Sequence, residues 1–385
     1  MSITRVPPHV TPEHLYLHVP FCLRRCSYCD FAVTAMSVAP VDAWLDSVAG
    51  ELALRQQSAG WEPLALKTIY VGGGTPSLLG PGAMSRLRGI LQRFGTWDST
   101  TAEWTAEANP ESFTAELAHD WAAAGVNRIS LGAQTFSGAA LAWMGRVHGP
   151  DGPGRAVGAA RSAGIDNISV DLIFALPSRL GRDWNADLDR VLALDPSHVS
   201  LYGLTAEPAT PLGRWVESGR ETMADEDRYA EEYLLACDRL GAAGYVHYEV
   251  SNFARPGSES RHNQAYWRHR PYIGLGPGAH SFEPPIRSWN VRDWAEYRRR
   301  IAVAGSPEDG REELGEGDVA LEHVWLGLRA SDGLDEASLT PAQRARADEW
   351  ERTGLAQRTA GVLRLTRHGW LLLDRLAVEL ESVRS

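Results

Sequence analysis

Three of the chain's four cysteines fall within eight residues, Cys22, Cys26 and Cys29, spaced C-x3-C-x2-C directly after the strand-like run Leu15-Tyr16-Leu17-His18-Val19. Three thiolates on one short loop can converge on a metal or cluster but cannot all pair as disulfides. Cysteine thiolates are the usual protein ligands of iron–sulfur clusters. Three of them leave one iron of a four-iron cluster without a protein ligand, as a cluster acting on a bound small molecule requires. A structural zinc site wants four Cys or His ligands in paired spacing. His18 is available as a fourth, but no second C-x2-C exists to close such a site.

The same spacing, with the aromatic Tyr28 just before the last cysteine, resembles the signature of radical S-adenosylmethionine (SAM) proteins. The rest of the chain offers a setting for it. From Leu15 onward short apolar runs alternate with helical patterns, the mark of successive βα units and a parallel sheet. Strands are predicted near 14–19, 67–71, 103–107, 127–131, 167–173 and 197–203. Helices are predicted near 41–57, 82–94, 114–124, 138–163 (broken at Gly149-Pro150) and 183–193. Six such units without a clear seventh and eighth imply an α/β fold with a partial, open (β/α)6 barrel, and in βα barrels chemistry sits at the C-terminal ends of the strands.

The polar residues at those ends are therefore candidates. After the second strand comes Gly72-Gly73-Gly74-Thr75-Pro76, where glycine lets main chain approach a ligand. Glu107 closes the third strand, Gln134 follows the fourth, Arg146 is carried by the fourth helix, and Asp171 lies inside the fifth strand. An acid within a buried sheet costs several kcal/mol unless it meets a donor, which marks Asp171 as a site residue. Singly each has an ordinary reading as a surface or loop residue. Together they suit a cationic, hydroxyl-rich ligand that also carries a carboxylate, and SAM has all of those groups.

Farther on, His262 stands with Asn263, Tyr266 and Trp267 in a turn-like stretch, followed by a glycine-dense loop, Gly274-Leu275-Gly276-Pro277-Gly278-Ala279-His280. His262 is a conceivable axial ligand for a flat macrocycle, although the residues alone favour a hydrogen-bonded core histidine. Cys237, at helical spacing with Tyr229, Tyr233 and Leu240, reads as a buried apolar cysteine. The expected organisation is an N-terminal tail (1–11), the partial barrel (12–205), a barrel extension carrying the two later motifs (206–303), a Gly-rich acidic linker (304–318) and a small winged-helix-like helical domain (319–385).

Composition narrows the partners. The net charge of −11 argues against a phosphate-backbone binder, and the last domain sets nine Arg and no Lys against ten acids, so no nucleic acid is expected. This disfavours a redox-sensing winged-helix regulator. One clustered set of cysteines fits a reducing compartment rather than a disulfide scaffold. Residues 1–11 contain two prolines and no apolar core of a signal peptide, and nowhere do eighteen apolar residues run together. A cytoplasmic protein is expected, with at most peripheral membrane contact.

The motifs HVPFCLRRCSYCDF, YVGGGTPS, EANP, RISLGAQTF, MGRVH, SVDLIFALP, HYEVSNFARPG, RHNQAYW and GLGPGAHS, in this order, resemble the HemW haem chaperone family, relatives of the oxygen-independent coproporphyrinogen III oxidases (HemN). The resemblance spans about residues 12–380. It implies a [4Fe-4S] cluster on Cys22, Cys26 and Cys29, and SAM held by Tyr16, Tyr28, Gly74, Thr75, Pro76, Glu107, Gln134, Arg146 and Asp171. It associates His262, Asn263, Tyr266 and Trp267 with haem, and implies delivery of haem to an acceptor protein, expected to be a respiratory one. Ala175, Ser178 and Arg179 stand where relatives often carry Gly, Gly and Gln. The rival reading is a coproporphyrinogen oxidase that uses SAM for oxidative decarboxylation. Against it, Phe31 stands where those oxidases usually carry a further cysteine, and only 21 residues precede Cys22, whereas the oxidases have a longer extension that closes the site.

Overall fold

The structure, a computed structural model, describes residues 11–59 and 63–383. All but Thr11 of the expected N-terminal tail lies outside the described residues. Six parallel strands form as the sequence predicts: β1 (His14–Val19), β2 (Thr68–Gly73), β3 (Glu103–Ala108), β4 (Arg128–Gln134), β5 (Asn167–Phe174) and β6 (His198–Gly203). Each pairs with the next in chain order, all in parallel. The predicted break at Gly149-Pro150 separates the helices Gly138–Met144 and Gly152–Ser162.

The sheet alternates in the way a polar-lined barrel demands. On β1, Leu15, Leu17 and Val19 are fully buried in the apolar layer with Trp44, Leu45 and Val48 of the helix Val41–Ala59. The even-numbered His14, Tyr16 and His18 stand level with Thr68, Tyr70 and Gly72 of β2. A strand sends successive side chains to opposite faces, so one face of each strand serves the core and the other the site.

The barrel does not close. Beyond β6 the sheet continues through the antiparallel strands Asn252–Ala254 and Val246–Glu249. Beyond β1 lies a seventh parallel strand, Tyr272–Leu275, followed by the antiparallel His280–Glu283, Ile286–Asn290 and Glu308–Glu313. Two sequence readings are corrected here. The glycine-dense stretch after Tyr272 begins as a strand: Gly274 pairs with Tyr16, and a Cβ there would lie 2.0 Å from the His280 carbonyl oxygen. The stretch read as a linker, 304–318, contains the edge strand Glu308–Glu313, whose charge is typical of a protected sheet edge.

The C-terminal part packs the helices Glu316–Arg329, Pro341–Arg352 and Leu373–Ser382 around a three-stranded antiparallel sheet of Leu334–Asp335, Val362–Leu365 and Ala356–Thr359. It joins the barrel through Val250 N–H to the Arg329 carbonyl at 3.1 Å and through Trp370, whose ring lies 4.2 Å from that of His247. No helix among the described residues is long and apolar enough to cross a membrane.

Ala175, just past β5, has a left-handed backbone, φ +59°. That conformation costs an L residue roughly 1–2 kcal/mol, whereas glycine enters it freely at some loss of unfolded-state entropy. Ala175→Gly should therefore leave stability unchanged or raise it by up to about 1 kcal/mol. Chemical denaturation measures this, and a loss of more than about 1 kcal/mol would contradict it.

Candidate cluster and cofactor site

The cysteine loop leaves β1 through Phe21–Cys22, which pairs in parallel with Thr34–Ala35 and so closes the loop on itself. His18 pins it from below: its Nε2 lies 2.9 Å from the Ala32 carbonyl oxygen and its Nδ1 3.0 Å from the Tyr16 hydroxyl. Burial pushes His18 down to about 4, so the ring is neutral, and Nε2–H donates to Ala32 while the Tyr16 hydroxyl donates to Nδ1. With both nitrogens engaged, His18 is a clamp rather than a fourth metal ligand.

The glycine turn after β2 is clasped to the same loop. Gly74 N–H donates to the Val19 carbonyl at 2.7 Å and Thr75 N–H to the Phe21 carbonyl at 2.8 Å. A Cβ on Gly74 would stand 2.7 Å from both acceptors, which is why glycine is needed there. The turn carries Thr75 toward the cysteines, its hydroxyl donating to Cys22 Sγ at 3.4 Å, and Pro76 opens the short helix Pro76–Leu79 beside it.

A chain of hydrogen bonds then crosses the mouth of the barrel. Asn109 Nδ2 donates to Thr75 Oγ1 at 3.1 Å, and Arg146 Nη2 donates to Asn109 Oδ1 and to the Gly132 carbonyl, each at 2.7 Å. Arg146 Nη1 points at Cys26 Sγ, 3.9 Å away. Cys22, Thr75, Asn109, Arg146 and Cys26 thus form one connected arc. Asn109 was not singled out from sequence. Its signal was the proline after it, which ends β3 and turns the amide across the strand ends. Tyr28 sits on the loop beside Cys26, and the loop docks through Ser27 N–H on the Met144 carbonyl at 3.2 Å.

Below the arc lie the two interior acids. Glu107 accepts from the Tyr70 hydroxyl and from Gly73 N–H, both at 2.8 Å. Burial pushes its carboxyl up to about 7 despite those donors. Asp171 meets the donors its position demands: Ser130 Oγ at 3.0 Å and Ser169 Oγ at 3.1 Å. Burial raises it, opposed by Ser169 on its own strand and by Ser130 and Ser200 on the two strands beside it. Gln134 ends β4 at a register shift with φ +67°, which turns it out of the ladder at the level of Gly132 and Arg146.

All four cysteines are unpaired thiols. Among the described residues no three His, Cys, Asp or Glu side chains converge tightly enough to hold a single metal ion. The donor set fits a larger thiolate-bound group: three sulfurs, a hydroxyl and a guanidinium aimed at two of them, and an Arg146 Nε that is buried with no partner. Cys237 lies elsewhere, on the buried face of the helix Glu226–Ala242 with its Sγ 3.9 Å from His247 Nδ1.

The motif expected to meet haem is not at this mouth. His262, Asn263, Tyr266 and Trp267 lie on the helix Arg261–Trp267, which crosses the opposite end of the barrel, where the strands start. Glu103, first residue of β3, caps that helix by accepting from the Arg261 and His262 N–H groups, each at 3.0 Å. Ser260 accepts from Asn263 N–H at 3.3 Å. His262 is fully buried, with Nδ1 2.7 Å from Thr68 Oγ1 and Nε2 2.8 Å from the Tyr266 hydroxyl. Neither ring nitrogen is free for iron in this arrangement. Trp267 lies under the Arg329 guanidinium, 4.4 Å from its ring centre, and so faces the C-terminal helices.

The Radical SAM superfamily model matches residues 16–191, the span of the cysteine loop, the glycine turn and the interior acids. The fold resembles the solved structure of coproporphyrinogen III oxidase (HemN) from Escherichia coli, with a TM-score of 0.81 at 20% identity, covering 97% of this chain and 90% of that one. Among curated proteins, heme chaperone HemW of Mycobacterium tuberculosis is 40% identical over 370 residues, 94% of this chain and 93% of that protein. Heme chaperone HemW of Escherichia coli is 39% identical over 383 residues, 95% and 97% of the two chains. On this near-full-length similarity, the chain belongs to the HemW family of radical SAM proteins.

Proposed function

We propose that the protein is a haem chaperone of the cytoplasm that binds haem and delivers it to an acceptor haem protein, a respiratory one by preference. What supports this above all is similarity at about 40% identity, along nearly the whole of both chains, to proteins named as haem chaperones. Cys22, Cys26 and Cys29 hold a [4Fe-4S] cluster in this reading, which supplies an open iron to a SAM molecule. The remaining residues bind and orient that ligand. Glu107 and Asp171 face its ammonium and hydroxyl groups, Arg146 its carboxylate, and Tyr16, Tyr28, Gly74, Thr75, Pro76 and Gln134 complete the walls.

The oxidase reading rests on likeness to HemN, which at 20% identity is likeness of fold. The cysteine loop carries Phe31 in place of a further cysteine, and this side chain is 58% exposed at the mouth. Guarding a radical reaction requires a closed, water-free site, and an exposed loop suits it poorly. Reconstituted protein given SAM and a reductant should form no protoporphyrinogen from coproporphyrinogen, while an anaerobic spectrum with added haem should show a stoichiometric haem band beside that of the cluster. Protoporphyrinogen formation dependent on SAM and Cys26 would transfer the protein to the oxidases.

Each of Cys22→Ala, Cys26→Ala and Cys29→Ala should lose most of the roughly four irons of the reconstituted cluster, and Cys237→Ala should keep them. Iron and sulfide analysis reads this, and cluster loss in the Cys237 variant with retention in Cys22→Ala would refute the assignment.

The pH dependence follows from Glu107. With its carboxyl raised to about 7, the ionised form that attracts a cationic ligand appears only as pH rises through that value. SAM affinity of the cluster-loaded protein should rise between pH 6 and 8, and Glu107→Gln should flatten the rise, as isothermal titration would show. The same shift makes Glu107 oppose folding increasingly from its ordinary 4.5 up to about 7, so Glu107→Gln should gain stability relative to the parent over that window.

A further inference from the structure

The start of the barrel holds chemistry that the cluster end does not use. A cavity of about 720 Å3 opens there beside the helix Arg261–Trp267, between it and the segments around Thr68 and Trp97. Its wall is partly apolar, with Leu66, Ala102 and Ala265 buried behind it. Four cationic side chains line it, Lys67, Arg261, Arg268 and Arg270, against two acids, Glu13 and Asp98. Lys67 pairs with Glu13 at 2.7 Å and Arg268 with Asp332 at 2.8 Å. Arg261 reaches Glu103 only at 3.8 Å, and the Arg270 guanidinium makes no hydrogen bond or ion pair among the described residues.

His14, the first residue of β1, also lines this cavity. Its Nδ1 is held 2.9 Å from Thr68 Oγ1, and its Nε2 has no protein partner among the described residues. Thr68 Oγ1 lies 2.7 Å from His262 Nδ1, and His262 Nε2 lies 2.8 Å from the Tyr266 hydroxyl. These bonds form one line that can run in either direction with the tautomers; in the direction a metal ligand requires, His14 Nδ1–H donates to Thr68, Thr68 donates to His262 Nδ1, and His262 Nε2–H donates to Tyr266. That proton arrangement leaves a bare lone pair on His14 Nε2. Metal-ligating histidines usually donate their other ring N–H in this way, which fixes tautomer and orientation.

We propose that this cavity is the haem site, with His14 Nε2 as the axial ligand to iron, Arg261 and Arg270 as the groups that receive the propionates, and His262 as a positioning residue acting through Thr68. The proposal rests on the haem-chaperone reading. It accounts for two observations together: a family motif whose histidine has both nitrogens engaged, and a neighbouring histidine whose outer nitrogen faces a cavity with a surplus of cations. Haem carries two carboxylates on one edge and a flat apolar face, which the arginines and the Trp97 side of the cavity match. Burial holds His14 below the ordinary histidine range, and Lys67, Arg270 and Arg261 lower it further against an opposing pull from Glu13, so the neutral, ligating imidazole prevails at neutral pH.

The test uses full-length, cluster-reconstituted protein titrated anaerobically with ferric haem and followed at the Soret band, with the cluster absorbance as a control for folding. His14→Ala should weaken haem binding about tenfold or more and abolish the imidazole-ligated band while the cluster persists. His14→Gly should regain that band when free imidazole is added. His262→Gln, which still offers Thr68 a partner, should keep the imidazole-ligated spectrum. Arg270→Gln should weaken binding of haem but leave binding of haem dimethyl ester unchanged. If the parent binds haem while His14→Ala shows its affinity and spectrum unaltered, or if His262→Gln loses the imidazole band that His14→Ala retains, the site assignment falls and the chaperone reading stands. If the parent binds no haem, both fall.

Discussion

A parallel strand can give only every second side chain to the inside of a barrel, and the chemistry of this protein is arranged within that limit. The registers stack the inward residues in layers: His14 beside Thr68 and Thr68 beside Glu103 at the start of the strands, then Tyr16 beside Tyr70, then His18 beside Gly72. Because the outward positions of the same strands are fully buried aliphatics such as Leu15, Leu17, Ile69 and Val71, no strand can slip by one residue without exchanging core for site. The polar side chains of the interior are thereby held by the same packing that holds the fold.

The layers explain how one barrel serves two ends. At the mouth, the loop of three cysteines is tied to its neighbours by main-chain bonds from Gly74 and Thr75 and by the Thr75–Asn109–Arg146 arc, so the sulfurs, the hydroxyl and the guanidinium share one scaffold. At the other end, Glu103 caps the helix that brings His262 and Tyr266 up against Thr68. Tyr70 lies between the two ends, its ring 5.1 Å from His262 and its hydroxyl on Glu107. A change at either end therefore meets the same central side chains.

Much of this was legible in the chain. The cysteine spacing is local, the six strand runs are apolar enough to be seen, and a carboxylate such as Asp171 within a strand declares itself because burial is costly without donors. What stayed hidden depended on contacts across long separations. Nothing local marks His14, whose meaning comes from Thr68, 54 residues on, and from His262, 194 residues beyond that. The motif histidine was visible, but not that both its nitrogens are taken. Strand Tyr272–Leu275 was concealed by Gly274, which is there for the approach of the His280 backbone rather than for a turn. Glu308–Glu313 was concealed by its charge, the very property that suits a sheet edge.

The central claim is spatial: cluster and haem occupy opposite ends of one barrel. Five residue steps of about 3.3 Å along β1 place Val19 roughly 17 Å beyond His14, and the cysteines lie farther still. The most direct measurement is the separation between haem iron and reduced cluster in the doubly loaded protein, read from electron-spin relaxation enhancement or pulsed dipolar spectroscopy. The two-ended barrel predicts about 20 Å. A separation under about 10 Å, within one end of the strands, would contradict it.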